Sequence, residues 1–310
     1  MWISLAKSEK NRKQKFLEEM EKSLPWSLFI EIAGKKYQSS REGRKKTDLL
    51  LLLKIYFLQQ WYNLGDPTVE AEIYDSIAFR NFLGIDISSD VPDESVICRF
   101  RHFLEKHKLP QKFFQATKKI LEDKGHIIKR GTIVDATIIK ASSSTKNKEK
   151  KRDTEMSSTR KNNNYHFGMK SHIGVDMETG VIHSIEVTTA KTHDKKMIES
   201  CLHGEEIAIS GDKAYGEQEM KKQFRKEGKH YLITDKATRS KKLSTKQKKR
   251  NRKISSVRSK VEHSFGVIKN LWKHTTVKYK GLFKNACQWN TLAMLANFFK
   301  LRKILAHCFC

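Results

Sequence analysis

A mixed α/β sheet flanked by helices, preceded by an all-helical N-terminal domain, is the fold class this sequence predicts. Three observations carry that expectation. Apolar residues recur at helical spacing through residues 1–125. From residue 131 the period changes to short β-branched runs. Those runs form a three-strand meander first and then alternate with helices, the pattern of a mixed sheet. A chain of 310 residues with 38% hydrophobic content can fill two cores, and the period change divides it at 1–125 and 126–310.

In the first part, helical spacing is clearest in 12–21, 47–63 and 94–107. Asp66-Pro67 and Pro92-Asp93 supply the residue types that favour helix starts. The segment ESVICRFRHFLEKHK carries Arg99, Arg101, His102, Lys106 and His107 beside an apolar face. Arg99 and Arg101 are candidate DNA contacts, although a solvated helix in a basic protein would look the same. The 84–92 loop is longer than the tight turn of a helix-turn-helix.

In the second part, GTIVDATII is a buried strand by its β-branched content. YHFGMKSHIGVDM and VIHSIEVTTA are two strands joined by the turn Glu178-Thr179-Gly180. A helical stretch near 194–203 precedes the strand EEIAIS, which ends at Gly211-Asp212. The helix GEQEMKKQFRKEG, the strand HYLIT, a helix over Val257–Lys269 and the helix QWNTLAMLANFFKL complete the chain. Two polar runs interrupt this order and are expected as mobile loops. Lys140–Lys161 has eight basic residues, and Arg239–Lys253 has nine in fifteen positions with no acid.

Sixty-two Lys and Arg against 35 Asp and Glu give a net charge of +27, which points to a polyanionic partner, nucleic acid above all. A basic RNA-binding or membrane-surface protein would share the number. The five cysteines show no CxxC spacing and suit reduced thiols of a cytosolic protein. Lys7 to Lys15 is charged where a signal peptide would be apolar. The run Leu49–Leu53 is cut short by Lys54, Gln59 and Gln60, so it is expected as a core helix with no membrane partner.

Three carboxylates carry the chemical expectation. Asp135 lies inside the strand IVDATII, where a buried acid is costly unless it is paired or binds a metal. Asp212 follows a parallel-type strand at its carboxyl end, where ligands gather in open α/β sheets. Glu262 shares a helical row with Arg258 and Lys269, at offsets of four and seven residues. Val257, Val261, Phe265 and Ile268 form the adjacent apolar row. Alone, such a row is usually a solvated ion-pair ladder, and a strand-end Asp is usually a turn residue. Together, three hard oxygen donors suit two Mg²⁺ or Mn²⁺ ions rather than zinc, and two such ions can drive phosphodiester chemistry. His166, His172, His183 and His193 are expected as packed or hydrogen-bonded side chains, and Asp194 as a helix N-cap. Arg258 and Lys269 are expected to clamp phosphates near the scissile bond, and Lys213, Lys248, Lys249 and Arg250 flank the acids as further candidate phosphate contacts.

IYFLQQWYNLGDP, VPDESVICRFRH, VDATII, NNNYHFGMKSHIGVD, GDKAYG and RSKVEHSFGVIK resemble signatures of the DDE transposases of bacterial insertion sequences, specifically the insertion sequence 5 family. The resemblance covers almost the whole chain and implies a ribonuclease H-like fold with Asp135, Asp212 and Glu262 as catalytic metal ligands. It also implies element-end and target double-stranded DNA as partners, a dimer or higher oligomer on that DNA, and a bacterial cytoplasmic, nucleoid-associated location. Arg258, Glu262 and Lys269 match the Arg–Glu–Lys part of a signature in the related insertion sequence 4 group, while Ser255 stands where that signature has Tyr. Only 49 residues separate Asp212 from Glu262, too few for the β-rich insertion of some relatives. The rivals are a ribonuclease H-type nuclease without strand transfer and a catalytically inactive DNA-binding regulator.

Overall fold

The computed structural model describes residues 10–37, 46–161, 163–237, 242–306 and 308. The chain divides into two compact units, residues 1–109 with 297–310, and residues 110–296.

The first unit holds α1 (Arg12–Ser23), α2 (Trp26–Tyr37), α3 (Leu49–Tyr62), α4 (Asp66–Asp75), α5 (Ile77–Leu83) and α6 (Glu94–Lys106). Asp48 caps α3 through Leu51 N–H, Pro67 sits in the first turn of α4, and Asp93 caps α6 through Val96 N–H. α3 is buried on all sides from Leu52 to Trp61, as a central helix must be. Two of its polar side chains are tied within the unit. Lys54 Nζ bonds Glu21 Oε1 at 2.8 Å and the Phe82 carbonyl at 2.9 Å, and Gln59 Nε2 bonds Asp66 Oδ1 at 2.8 Å. No described helix is long and apolar enough to cross a membrane.

α7 (Leu109–Asp123) leads into the second unit, whose centre is a six-stranded mixed sheet. β1 (Gly131–Lys140) pairs antiparallel with β3 (Asn164–Asp176) and parallel with β5 (Ala208–Gly211). β5 pairs parallel with β6 (His230–Ile233), while β2 (Ser157–Lys161) and β4 (Ile182–Thr189) pair with the first and second halves of β3. The order β4–β3–β1–β5–β6, antiparallel and then parallel, with helices flanking it, is the ribonuclease H-like arrangement. α8 (Gln218–Lys226) connects β5 to β6, and α9 (Thr245–Gly266) crosses β1 and β5. α10 (Leu282–Leu305) ends the fold.

The turn after β3 is built by one acid. Asp176 accepts from the N–H groups of Ile128, Lys129, Glu178 and Thr179, and Gly180 takes the left-handed conformation at φ 70°. Burial pushes the Asp176 carboxyl up, but these hydrogen bonds outweigh it and hold the group below the usual range. Gly168 is required for a different reason. It lies where β1, β2 and β3 meet, and a Cβ there would fall 2.0 Å from the Ile139 carbonyl oxygen and 2.8 Å from Ala141 N. Both obstacles are backbone. Gly168→Ala should therefore destabilise by at least the ~1–3 kcal/mol of an overpacked core. Thermal unfolding followed by far-UV circular dichroism checks this, and an unchanged Tm would sink it.

Several expectations are corrected. The Arg239–Lys253 run is not a loop over its described length: from Thr245 it is the first part of α9, while Arg239 and Lys241 lie outside the described residues. Ser244 caps the helix and Gln247 completes a capping box, Lys and Arg are good helix formers, and Arg250 ties the first turns to Asp235. Lys140–Lys161 is not a free loop either. Its last five residues are β2, and its acids hold the start of α10: Asp153 accepts from Gly281 N–H and Glu155 from Leu282 N–H. The stretch near 194–203 forms two 3-10 turns rather than one helix. Asp194 does not cap it, because its carboxylate takes Lys170 Nζ at 2.9 Å instead.

Candidate active site

The sheet sets two of the three acids side by side. The β1–β5 ladder pairs Gly131 with Ala208 and Ile133 with Ser210, an offset of 77 that, continued by two residues, sets Asp212 opposite Asp135. Neighbouring strands lie ~4.8 Å apart. Asp212 sits just beyond β5 and turns the chain, its Oδ1 accepting from Ala214 N at 2.7 Å. Behind this edge Val134, Ile209 and Tyr215 pack in one apolar cluster with Phe224 and Ile233.

Asp135 has a side chain only 18% exposed, and Arg258 Nη2 lies 3.6 Å from its Oδ2. Burial pushes its carboxyl up from 3.8 to about 6; Arg258 and the Ala136 N–H pull down against this, and the Asp212 charge adds to the rise. A buried carboxylate beside a second one, with a single guanidinium in reach, is under-compensated. That is the electrostatic setting a divalent cation would relieve.

α9 brings the remaining row to the same strand. Its apolar face, with Ile254, Val261, Phe265 and Ile268 buried, packs down and leaves Arg258 and Lys269 at the seam. Lys269 Nζ bonds Thr137 Oγ1 at 2.9 Å and the Ile138 carbonyl at 3.2 Å. Burial lowers its pKa, and Lys161 and Lys140 nearby lower it further. Arg258 and Lys269 thus grip β1 at Asp135 and just past it, with Glu262 between them along the helix. Glu262 is exposed and has no hydrogen bond or ion pair to another described residue. Lys269 falls in a π-helical segment, Val267–Leu271, closed by the Trp272 N–H to the Val267 carbonyl at 3.0 Å. Such segments cluster at functional sites.

Among the described residues, no three carboxylate, histidine or cysteine side chains stand close enough to share one metal ion. The fold brings Asp135 and Asp212 to one edge and aims the Glu262 helix at it, without closing the three into a ligand set. Two charged acids repel each other, and Arg258 occupies Asp135. The donors themselves are hard oxygens that suit Mg²⁺ or Mn²⁺.

The flanking cations divide into two kinds. Lys213, Lys248 and Lys249 are exposed, and so is Arg99 on α6. Arg250 is committed to β6, with Nη1 on Asp235 Oδ2 at 2.9 Å and on the Ile233 carbonyl at 3.3 Å. Arg101 is 8% exposed, its guanidinium held by Asp66 at 2.9 Å and Glu105 at 3.2 Å, so it is an internal tie of the helical unit and not a surface contact. The i, i+4 Glu105 was the available sequence signal for that pairing. His172 and His183 are buried and bonded to Thr188 and Thr132, the packed role expected of them. Lys140 and Lys161, which the loop expectation hid, add cations beside Asp135 and Lys269.

A family model described as "Transposase DDE domain" matches residues 127–298, more than half of the chain, and includes all three acids. A second, described as "Transposase domain (DUF772)", matches residues 5–103. No solved structure matches the chain at a significant level. The fold and the two matches agree: the chain belongs to the DDE transposases and is a DNA transposase.

Proposed function

We propose that the protein cuts the ends of its own insertion sequence and joins the freed 3′-hydroxyls to target DNA, as a member of the insertion sequence 5 family. The observation that carries this reading is Asp135 on β1 beside Asp212 at the carboxyl end of the parallel neighbour β5, with Arg258 and Glu262 on α9 and Lys269 just after it at the same strand. DDE transposases use divalent metal ions. Two such ions, held by Asp135 and Asp212 and completed by Glu262, would activate the attacking oxygen and neutralise the leaving one. Arg258 holds the buried end of Asp135 and fixes its direction. Lys269, tied to β1, offers its remaining donor capacity to phosphate at the same edge. The exposed cations Lys213, Lys248 and Lys249 hold duplex DNA beside the cut, and the helices of residues 1–125, through Arg99, hold the terminal DNA. Work on two element ends and a target calls for a dimer or higher oligomer in the bacterial cytoplasm, on the nucleoid.

Incubating the protein with Mg²⁺, DNA spanning the ends of its own element, and a supercoiled target plasmid tests the reading. Joined products are expected, lost on chelation of the metal. Cleavage without joining would assign a nuclease instead, and binding without either would assign a regulator.

A further inference from the structure

The sequence NNNYHFG is unexplained by the acid site, and the structure gives its tyrosine an unusual place. β2 and β3 form a two-stranded ribbon whose turn contains Asn163 in the left-handed conformation at φ 64°. Along β3 one face carries Met169, Phe167 and Tyr165, because side chains alternate. Met169 is fully buried, Phe167 half-buried, and Tyr165 76% exposed. The ribbon therefore carries a row that starts at Met169 in the core and ends in two aromatic rings toward solvent.

Each outer ring is matched with a guanidinium. Arg160 is the direct cross-strand partner of Tyr165, 5.7 Å from its ring centroid, and also donates to Asn163 Oδ1 at 3.1 Å. Arg152 lies 5.4 Å from the ring centroid of Phe167 and donates to the Ser143 carbonyl. Lys140, Arg152, Asn164, Tyr165, His166 and Phe167 line a cleft of about 530 Å³, within the usual size range of small-ligand sites. Lys161, at the end of the ribbon, lies within electrostatic reach of Asp135. Lys140, Arg152, Arg160 and Lys161 disfavour a basic partner, and an exposed aromatic face among them suits a nucleobase with its phosphates.

We infer that the β2–β3 ribbon is a single-strand binding site, in which Tyr165 stacks on an unpaired DNA base beside the cut while Arg152, Arg160 and Lys161 hold the adjoining phosphates. The inference rests on the transposase reading and adds a substrate feature to it: the DNA at the active site is partly unpaired. Tyr165 is a positioning residue, acting on the strand and not on the reacting atoms.

The test uses the full chain and two fluorescent probes, a duplex with a short unpaired thymidine stretch and the same duplex fully paired. Tyr165→Ala should weaken binding of the first by ~5- to ~150-fold, the range of one base–aromatic stack, and leave the second unchanged. Tyr165→Trp should restore binding. With 5-bromodeoxyuridine in the unpaired stretch, ultraviolet crosslinking should map to Tyr165. Equal affinity of Tyr165→Ala and wild type for the first probe would overturn the inference, as would an equal loss on both probes or tighter binding of single-stranded RNA. So would a changed oligomeric state with unchanged DNA affinity, which would make the ribbon a protein contact. The two readings fail differently. A wild-type protein that forms no joined product defeats the transposase reading, whereas an active wild type with a Tyr165→Ala variant of full affinity defeats only this one.

Discussion

Asp135→Asn is expected to abolish strand cutting while leaving the metal-free protein at least as stable as wild type near neutral pH. Cleavage should fall well beyond the ~10–100-fold seen for loss of an outer-shell partner, because a direct ligand is removed. The stability effect has the opposite sign. In the fold the carboxyl titrates near 6 against an ordinary value of 3.8. Between those values the folded state binds more protons than the unfolded state, so stability falls as pH rises through the window. Above pH 6 the ionised acid costs on the order of 3 kcal/mol, at ~1.36 kcal/mol for each pH unit of the window. Asn does not ionise and escapes that cost, a net one in which the Arg258 attraction is already set against burial. The Tm of the variant without divalent ions should equal or exceed that of wild type at pH 7.5, and the difference should close below pH 4. A markedly lower Tm at pH 7.5 would mean that the Arg258 pairing outweighs burial. Retained cleavage in Mg²⁺ would remove Asp135 from the chemistry.

The second large effect concerns the exposed cations of α9. Lys248→Ala, Lys249→Ala and Arg252→Ala together should weaken binding to duplexes of any sequence and flatten the salt dependence. Each lost phosphate contact lowers the log–log slope by ~0.9, so three would lower it by roughly 2.7. Arg250 is left in place because it holds β6 through Asp235, and its loss would mix folding with binding. Affinity measured against salt decides the matter. An unchanged slope would mean a solvated helix face with no phosphate on it.

The mixed α/β class was legible before any coordinates because periodicity is a local property. The β-branched run at residue 131 and the Val257–Ile268 row each declare their element without reference to the rest of the chain. α9's early start was legible too, in Ser244 and Gln247, but the density of positive charge masked it. β2 was not: SSTRK has little strand preference of its own and becomes a strand by pairing with β3.

The acids divide in the same way. Their types and separations in the chain were enough to nominate hard-metal chemistry, since a carboxylate inside a strand needs a reason wherever the strand lies. Tertiary structure alone decided which cations serve them. Arg101 and Arg250 read as surface charges until folding brought Asp66 and Asp235 within hydrogen-bond distance, while Lys140 and Lys161 read as loop residues until the ends of β1 and β2 placed both beside Lys269 and Lys161 near Asp135. The physical reason is that a residue's chemical type is carried by the chain, whereas its partner, burial and charge state depend on long-range contacts that no local pattern encodes.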